Sequence, residues 1–327
     1  MQKPKTINGL MKHLRDNGAK IKNSKQKIQL INQGYYHGYK GYRCFGIKHI
    51  HLPISDYEQI NRTIIYDSKI KALFYEKMMF IETALKNICL DTIISKTKSD
   101  DVNQMYMRVI ESYKNSPSTY TNMQKVKSQK NFLSLQSMIH SDVIREYNKN
   151  NPKITHFFNN MMYTNIPVWS IFETLTMGDF GFLLSTLTYG VRDKVSKKIG
   201  LNLASDTNRE LLYKYVYTLK DLRNAIAHNE VVYDARFRKI DPSNAMKQCL
   251  MNEMNLPYIN FKDIIDYVAL IVYYLKLLHV TKNEIKTFLK AFETYTNEYK
   301  DSIGASISSI TINNNWKYRM SKIKNYI

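Results

Sequence analysis

Residues 219–230, LKDLRNAIAHNE, bring an arginine, an amide and an imidazole together at helical spacing. On a helix Asn224 and His228 are four residues apart and share a face, with Arg223 beside Asn224 on the flank, while Leu219, Leu222 and Ile226 turn toward the core. Ala225 and Ala227 are small enough to let another helix or a substrate backbone come close. These groups suit cleavage of RNA by its own 2′-hydroxyl. That reaction needs a proton taken from the hydroxyl or given to the departing 5′-oxygen, work for an imidazole that titrates near neutrality. It also needs planar, positive hydrogen-bond donation to a crowded phosphate, which a guanidinium supplies bidentately. No metal or other cofactor is required. The competing account is structural: a helix C-terminus whose cations satisfy the last carbonyls.

Helices are the elements expected to position this patch. Only 11 Gly and 7 Pro in 327 residues leave few turns for an all-β fold, and long stretches place apolar residues at i, i+3, i+4 and i+7. The reading is all-α. A first short helix runs over about 6–17, closed by Asn17-Gly18, and a second over about 24–32. The longest helical signal covers about 56–95, with Asp67-Ser68 as the place for a break and Ile70, Leu73, Phe74, Phe80, Ile81, Leu85 and Ile88 as its apolar stripe. Glu82 lies close to that stripe and needs a partner if buried. Amphipathic segments at about 101–114 and 125–149, around a polar turn at 115–118, look like an inserted hairpin.

From 165 to 187, Pro167 opens a helix and Gly178 marks a break between two apolar helices. Trp169, Phe172 and Leu175 are assigned to the core, whereas Glu173 is either a paired structural acid or a site residue. Thr207 with Glu210 reads as a capping box opening the helix that ends near His228. A basic loop (Arg236, Arg238, Lys239) leads to two final helices, about 261–279 and 281–301, and a basic tail bearing Trp316, Tyr318 and Arg319. The expected organisation is a basic N-terminal subdomain (1–50), a helical body (51–301) with an insertion at about 100–150, and the tail (302–327).

Charge points to a partner. The chain carries 48 Lys and Arg against 28 Asp and Glu, a net charge of +20, and half of that excess lies in the first fifty residues, with eleven basic residues and one acid. A polyanion is the natural partner, because each neutralised phosphate releases counterions. Lys12, Lys20, Lys22, Lys25 and Lys27 supply the cations of that dock. After them comes GYYHGYKGYRCFG, residues 34–46, in which Tyr35, Tyr36, Tyr39, Tyr42 and Phe45 interleave with His37, Lys40 and Arg43. Tyr35, Tyr36 and Tyr42 could stack bases while Lys40 and Arg43 hold phosphates, or the tyrosines wedge the subdomain onto the helical body. Three scattered cysteines without a C-x-x-C pair imply a reduced, cytoplasmic setting. The most hydrophobic segment, 268–280, is interrupted by Lys276, so no membrane span is expected.

The motif Arg223-Asn224-Ala225-Ile226-Ala227-His228-Asn229 resembles the signature of the HEPN superfamily, an Arg, commonly a polar residue, then a His after a short spacer. More closely, the chain resembles the Abi-like proteins of bacterial abortive infection, the AbiD/AbiF group. The matching runs in order from Lys3-Pro4, Leu14 and Gly18, through 34–36 and 41–42, Tyr66-Asp67, Ile81-Glu82-x-Ala84-Leu85, and Pro167-Val168-Trp169 with Glu173 and Gly178, to LRNxIAHN.

The resemblance implies a HEPN-type helical bundle with inserted helices, acting as a metal-independent ribonuclease toxin of anti-phage defence. Arg223 and His228 would be its catalytic pair, Asn224 a phosphate or ribose contact, and Asn229, Glu82 and Glu173 supporting residues. It further implies a homodimer, because each chain holds one motif, and a structured non-coding RNA as partner. Lys86 departs from the arginine of many relatives. The alternatives are a non-catalytic RNA-binding protein that scaffolds or sequesters an RNA, and a protein-binding regulator.

Overall fold

The computed structural model describes residues 5–159 and 166–327, so Lys3-Pro4 and Asn165 lie outside the described residues. The fold is all-α, with fifteen α-helices and one short hairpin among the described residues. In chain order the helices are α1 (Ile7–Asp16), α2 (Ser24–Gln33), α3 (Tyr57–Thr97), α4 (Val102–Val109), α5 (Asn122–Asn148), α6 (Pro152–Asn159), α7 (Val168–Thr174) and α8 (Met177–Thr186). They continue with α9 (Tyr189–Ile199), α10 (Leu211–Ala227), α11 (Asn244–Met254), α12 (Ile264–Leu277), α13 (Lys282–Ile303), α14 (Ala305–Thr311) and α15 (Trp316–Tyr326). A π-helical turn spans Gly34–Lys40, and β1 (Cys44–Phe45) pairs antiparallel with β2 (Ile50–His51). No helix among the described residues is long and apolar enough to cross a membrane.

The chain divides into two compact units, one of Met1–Met78, Asp221–Pro242 and Leu250–Ile327, the other of Met79–Lys220 and Ser243–Cys249. In the first unit α12 is buried on every side from Ile264 to Leu275, the pattern of a central core helix. It packs against α13 and α15. Phe74 of α3 meets Phe288 and Phe292 of α13 at 5.8 and 6.1 Å, and Tyr66 stacks on Tyr299 at 4.4 Å. Local chemistry sets the short helices. The Thr6 hydroxyl accepts from Gly9 N–H at the start of α1, and Asn23 accepts from Gln26 N–H at the start of α2. Gly18 and Gly34, at φ 86° and 76°, turn the chain after each.

The C-terminal segment is not a solvated basic tail. Arg319 on α15 is fully buried, its guanidinium paired with Asp266 and, at 3.3 Å, with Asp263, and it lies 4.5 Å from the Tyr258 ring centroid. Burial pulls its pKa below the usual value, with Tyr258 and Asp263 opposing. Truncation would strand two carboxylates, Asp266 among them fully buried. Arg319→Ala is therefore expected to cost about 3 kcal/mol of stability, measured as a lower urea midpoint at unchanged slope.

In the second unit α5 packs on α6, α7 and α8. Its buried residues Leu135, Ile139 and Val143 join a core that includes Ile171, Phe172, Leu175, Phe180, Leu183 and Leu184. The break between α7 and α8 falls at Leu175-Thr176 rather than at Gly178. There Thr176 and Asp179 form a reciprocal capping box that starts α8. Trp169 is 45% exposed, so it is not core, although its edge rests on Phe157 at 5.3 Å.

α3 runs unbroken through Asp67-Ser68, because Asp67 is buried and its carboxylate is satisfied by tertiary partners. Phe80, expected on the buried stripe, is 43% exposed; Ile70, Phe74, Ile81 and Leu85 are buried as the spacing requires. The expected Thr207 cap of α10 is replaced by Asp206, whose carboxylate accepts from Glu210 N–H at 2.7 Å and from Leu211 N–H at 3.2 Å. An ionised acceptor at this end also complements the helix dipole.

Candidate functional site

α10 carries the Arg–Asn–His patch at its C-terminal end. Leu219, Leu222 and Ala225 are buried, whereas Ile226, expected in the core, is only partly covered. Arg223 and Asn224 are half-buried and His228 is exposed just past the last helical residue. His228 N–H donates to the Asn224 carbonyl at 2.9 Å. The helical turn thus extends to His228 and holds it directly after Asn224 along one edge. The arrangement can offer an accessible imidazole, an amide and a guanidinium within about one and a half helical turns.

The end of this helix is built by Asn229, which sits in the left-handed region at φ 54°. Glu230 N–H reaches back to Ala225 C=O at 2.8 Å and Asn229 N–H to Ile226 C=O at 3.1 Å, the pair of bonds of a Schellman ending. The Asn229 side chain is bonded at both ends. Its Oδ1 accepts from Lys71 Nζ at 2.8 Å, and its Nδ2 lies 3.0 Å from Nε2 of His37 on the π-helical turn.

Lys71 leads to the buried centre of this region. Its ammonium is 2.7 Å from Asp67 Oδ2, and the same oxygen accepts from the Tyr42 hydroxyl at 2.6 Å. Asp67 Oδ1 accepts from the backbone N–H groups of Val232 and Tyr233 at 2.8 and 2.7 Å. One buried carboxylate therefore binds α3, Tyr42 and the turn-rich segment that follows the motif. Burial, with the Asp67 charge added, pushes the Tyr42 phenol far above its ordinary range.

A second clamp ties the same two segments. Arg236 holds Asp234 through Nε at 2.7 and 3.0 Å, donates to Gly41 C=O at 2.8 Å and also reaches Cys44 C=O. Asp234 accepts from Gly46 N–H at 2.7 Å. Burial opposes the Arg236 charge, but Asp234 holds its pKa above the usual value. Arg238 likewise donates to Asn260 C=O at 2.9 Å. Two of the three residues read as a basic loop are thus structural, leaving Lys239 exposed.

A family model described as Abi-like protein matches residues 29–234, from within α2 to Asp234. The chain belongs to the Abi-like family. No curated protein and no solved structure matches it. The matched region of this Abi-like protein takes in the π-helical turn, Asp67, Glu82, Glu173 and the whole Arg–Asn–His segment.

The two acids expected as supporting residues, Glu82 and Glu173, have different settings within the second unit. Glu82 is buried and pairs with Lys86 at 2.9 Å, one helical turn on, and Lys86 also donates to Leu175 C=O at 2.7 Å. Glu173 is exposed on α7 and pairs with Lys153. Among the expected dock residues, Lys12, Lys20, Lys22, Lys25 and Lys40 are exposed and Lys27 is half-buried. Lys22 pairs with Asp56 at 2.8 Å. Tyr36 stands free of the core and Tyr35 is half-buried, stacked on Tyr39 at 5.7 Å. Arg43 is half-buried, 5.9 Å from the Tyr39 centroid. Tyr42 is enclosed, leaves no face for a base, and belongs to the packing alternative.

His37, Asp67 and Lys71 were not singled out as site residues, yet they fix the end of the motif helix. Asp67 stands in the Tyr66-Asp67 motif and His37 in the aromatic segment, but for Lys71 the signal is only its spacing one turn from Asp67 on α3. The left-handed φ at Asn229 gives a direct test. Asn229→Ala is expected to be less stable than Asn229→Gly by about 1 kcal/mol, the strain of a Cβ in that region, as read by urea unfolding. Equal losses would show that φ is not what this position serves.

Proposed function

We propose that this Abi-like protein is an RNA endonuclease of the HEPN superfamily, of AbiD/AbiF type, acting as a toxin in abortive infection. Membership of the family points to the anti-phage role. The observation that carries the enzymatic reading is the end of α10, where Arg223 and Asn224 are partly exposed and His228 is open to solvent. His228 transfers the proton at the 2′-hydroxyl or at the leaving oxygen. Arg223 donates to the equatorial oxygens as negative charge builds on phosphorus, and Asn224 contacts phosphate or ribose. The 2′-oxygen bonds to phosphorus, the P–O5′ bond breaks and the leaving oxygen takes a proton. The products are a 2′,3′-cyclic phosphate and a 5′-hydroxyl.

None of these steps needs a metal ion, because base, acid and charge stabilisation come from side chains. With one motif per chain, the cutting form is a homodimer, located in the cytoplasm. The basic N-terminal residues dock RNA, either the substrate or a structured non-coding RNA that regulates the toxin. The test is incubation of the purified protein with mixed RNA in chelator, with end-group analysis of the products. Cyclic-phosphate termini are expected. Intact RNA, or 3′-hydroxyl termini, would overturn the reading and leave a non-catalytic RNA-binding protein as its replacement.

A further inference from the structure

The basic N-terminal residues and the Arg–His centre are almost two hundred positions apart in sequence, but both belong to the first compact unit. The Asn229–His37 contact joins them, and its polarity follows from elementary chemistry. An ammonium has donors only, so the Asn229 atom facing Lys71 is its oxygen. The amide nitrogen then faces His37. Because that nitrogen only donates, His37 Nε2 is the acceptor in this contact. The π-helical turn is therefore pinned to the residue that follows His228.

The ring next to this pin is unusually open. Tyr36 is 76% exposed, whereas Tyr39 and Tyr42 on the same stretch are buried. Tyr35 meets the edge of Tyr36 at 5.4 Å and itself stacks on Tyr39, which gives the exposed ring a firm base. Lys40 Nζ lies 4.7 Å from the Tyr36 centroid and 5.3 Å from that of Tyr35. A large aromatic surface left in water beside a cation suits a base and its phosphate, since bases stack on aromatics while lysine neutralises the backbone.

We propose that Tyr36 and Lys40 form a stacking subsite for a single-stranded RNA nucleotide next to the phosphodiester held at Arg223 and His228, so that capture and cleavage act on one strand. The position of the subsite rests on the ribonuclease reading; its stacking chemistry does not. Binding is measured by fluorescence anisotropy with a 2′-O-methyl single-stranded RNA, which lacks the attacking hydroxyl, and cleavage with the unmodified strand.

Tyr36→Ala is expected to weaken binding about 5–150-fold, the range for one lost stacking contact, while Tyr36→Phe stays within about twofold of wild type. Lys40→Ala is expected to reduce the slope of log affinity against log salt by about 0.7, one single-strand phosphate contact. In cleavage, Tyr36→Ala raises KM and leaves kcat unchanged. Wild-type affinity in Tyr36→Ala, or equal losses in the Ala and Phe variants, would overturn the subsite. Cleavage with unaltered KM in Tyr36→Ala would also overturn it and leave the nuclease standing. Tyr36-dependent binding without any cleavage by wild type would overturn the nuclease reading, and with it the placement beside a scissile bond, but not the stacking.

Discussion

Replacing His228 by alanine is expected to lower RNA cleavage about 10²–10⁴-fold, the contribution of a positioned general acid–base group. Its exposure makes the test clean. His228 lies outside the core and follows the last residue of α10, so the variant should melt with the wild type, within about 0.5 kcal/mol. Its backbone N–H bond to the Asn224 carbonyl survives substitution. Initial rates on a single-stranded RNA in chelator, with thermal melts of the same preparations, give both numbers. Equal cutting by His228→Ala would remove the proposed chemistry. A modest change in affinity with strong salt dependence, and no cleavage by either protein, would favour RNA binding without catalysis. Arg223→Lys refines the point, since it keeps the charge but loses the planar fork that matches a phosphate.

What the sequence revealed and what it concealed separate along physical lines. Features governed by local spacing were legible: the α1 ending at Asn17-Gly18 and the Asn224–His228 alignment both depend on residues within one or two turns. Features governed by distant partners were not. Asp67 resembles a helix break because a carboxylate amid apolar residues is costly, until Tyr42, Lys71 and two backbone amides from the Val232 region surround it. Arg319 counted as tail charge because nothing near it in sequence announces Asp266. Helix α11 follows the basic loop without a strong apolar period to announce it, although Ser243 accepts from Met246 N–H at its start.

The same distinction applies to the candidate site. The motif residues are adjacent in sequence, so their helical arrangement could be read directly. The group that holds their C-terminal end comes from three separated stretches, and no periodicity links His37, Lys71 and Asn229. The charge excess also divides between two roles. Arg236, Arg238 and Arg319 serve folding, whereas the exposed lysines of α1, α2 and the π-helical turn remain available to a polyanion.

The largest loss of stability is expected from Asp67→Ala, about 5 kcal/mol, the upper range for removing one member of a buried ion pair. The side chain is fully buried, and its removal leaves Lys71, the Tyr42 hydroxyl and two backbone N–H groups without their acceptor. Asp67→Asn should be milder, about 3 kcal/mol, because one oxygen can still serve the backbone donors while the amide nitrogen faces an ammonium. Lys71→Met in the Asp67→Ala background should recover part of the loss, since it removes the uncompensated charge; contacting pairs of this kind couple by about 0.5–3 kcal/mol. Urea midpoints at constant slope measure all three. A loss below about 1 kcal/mol for Asp67→Ala would mean that the carboxylate does not organise this region. Because Asp67 also anchors the segment that follows Asn229, its variants should lose RNA cleavage together with folding. That joint loss distinguishes a positioning group from His228, whose replacement should remove activity from an intact fold.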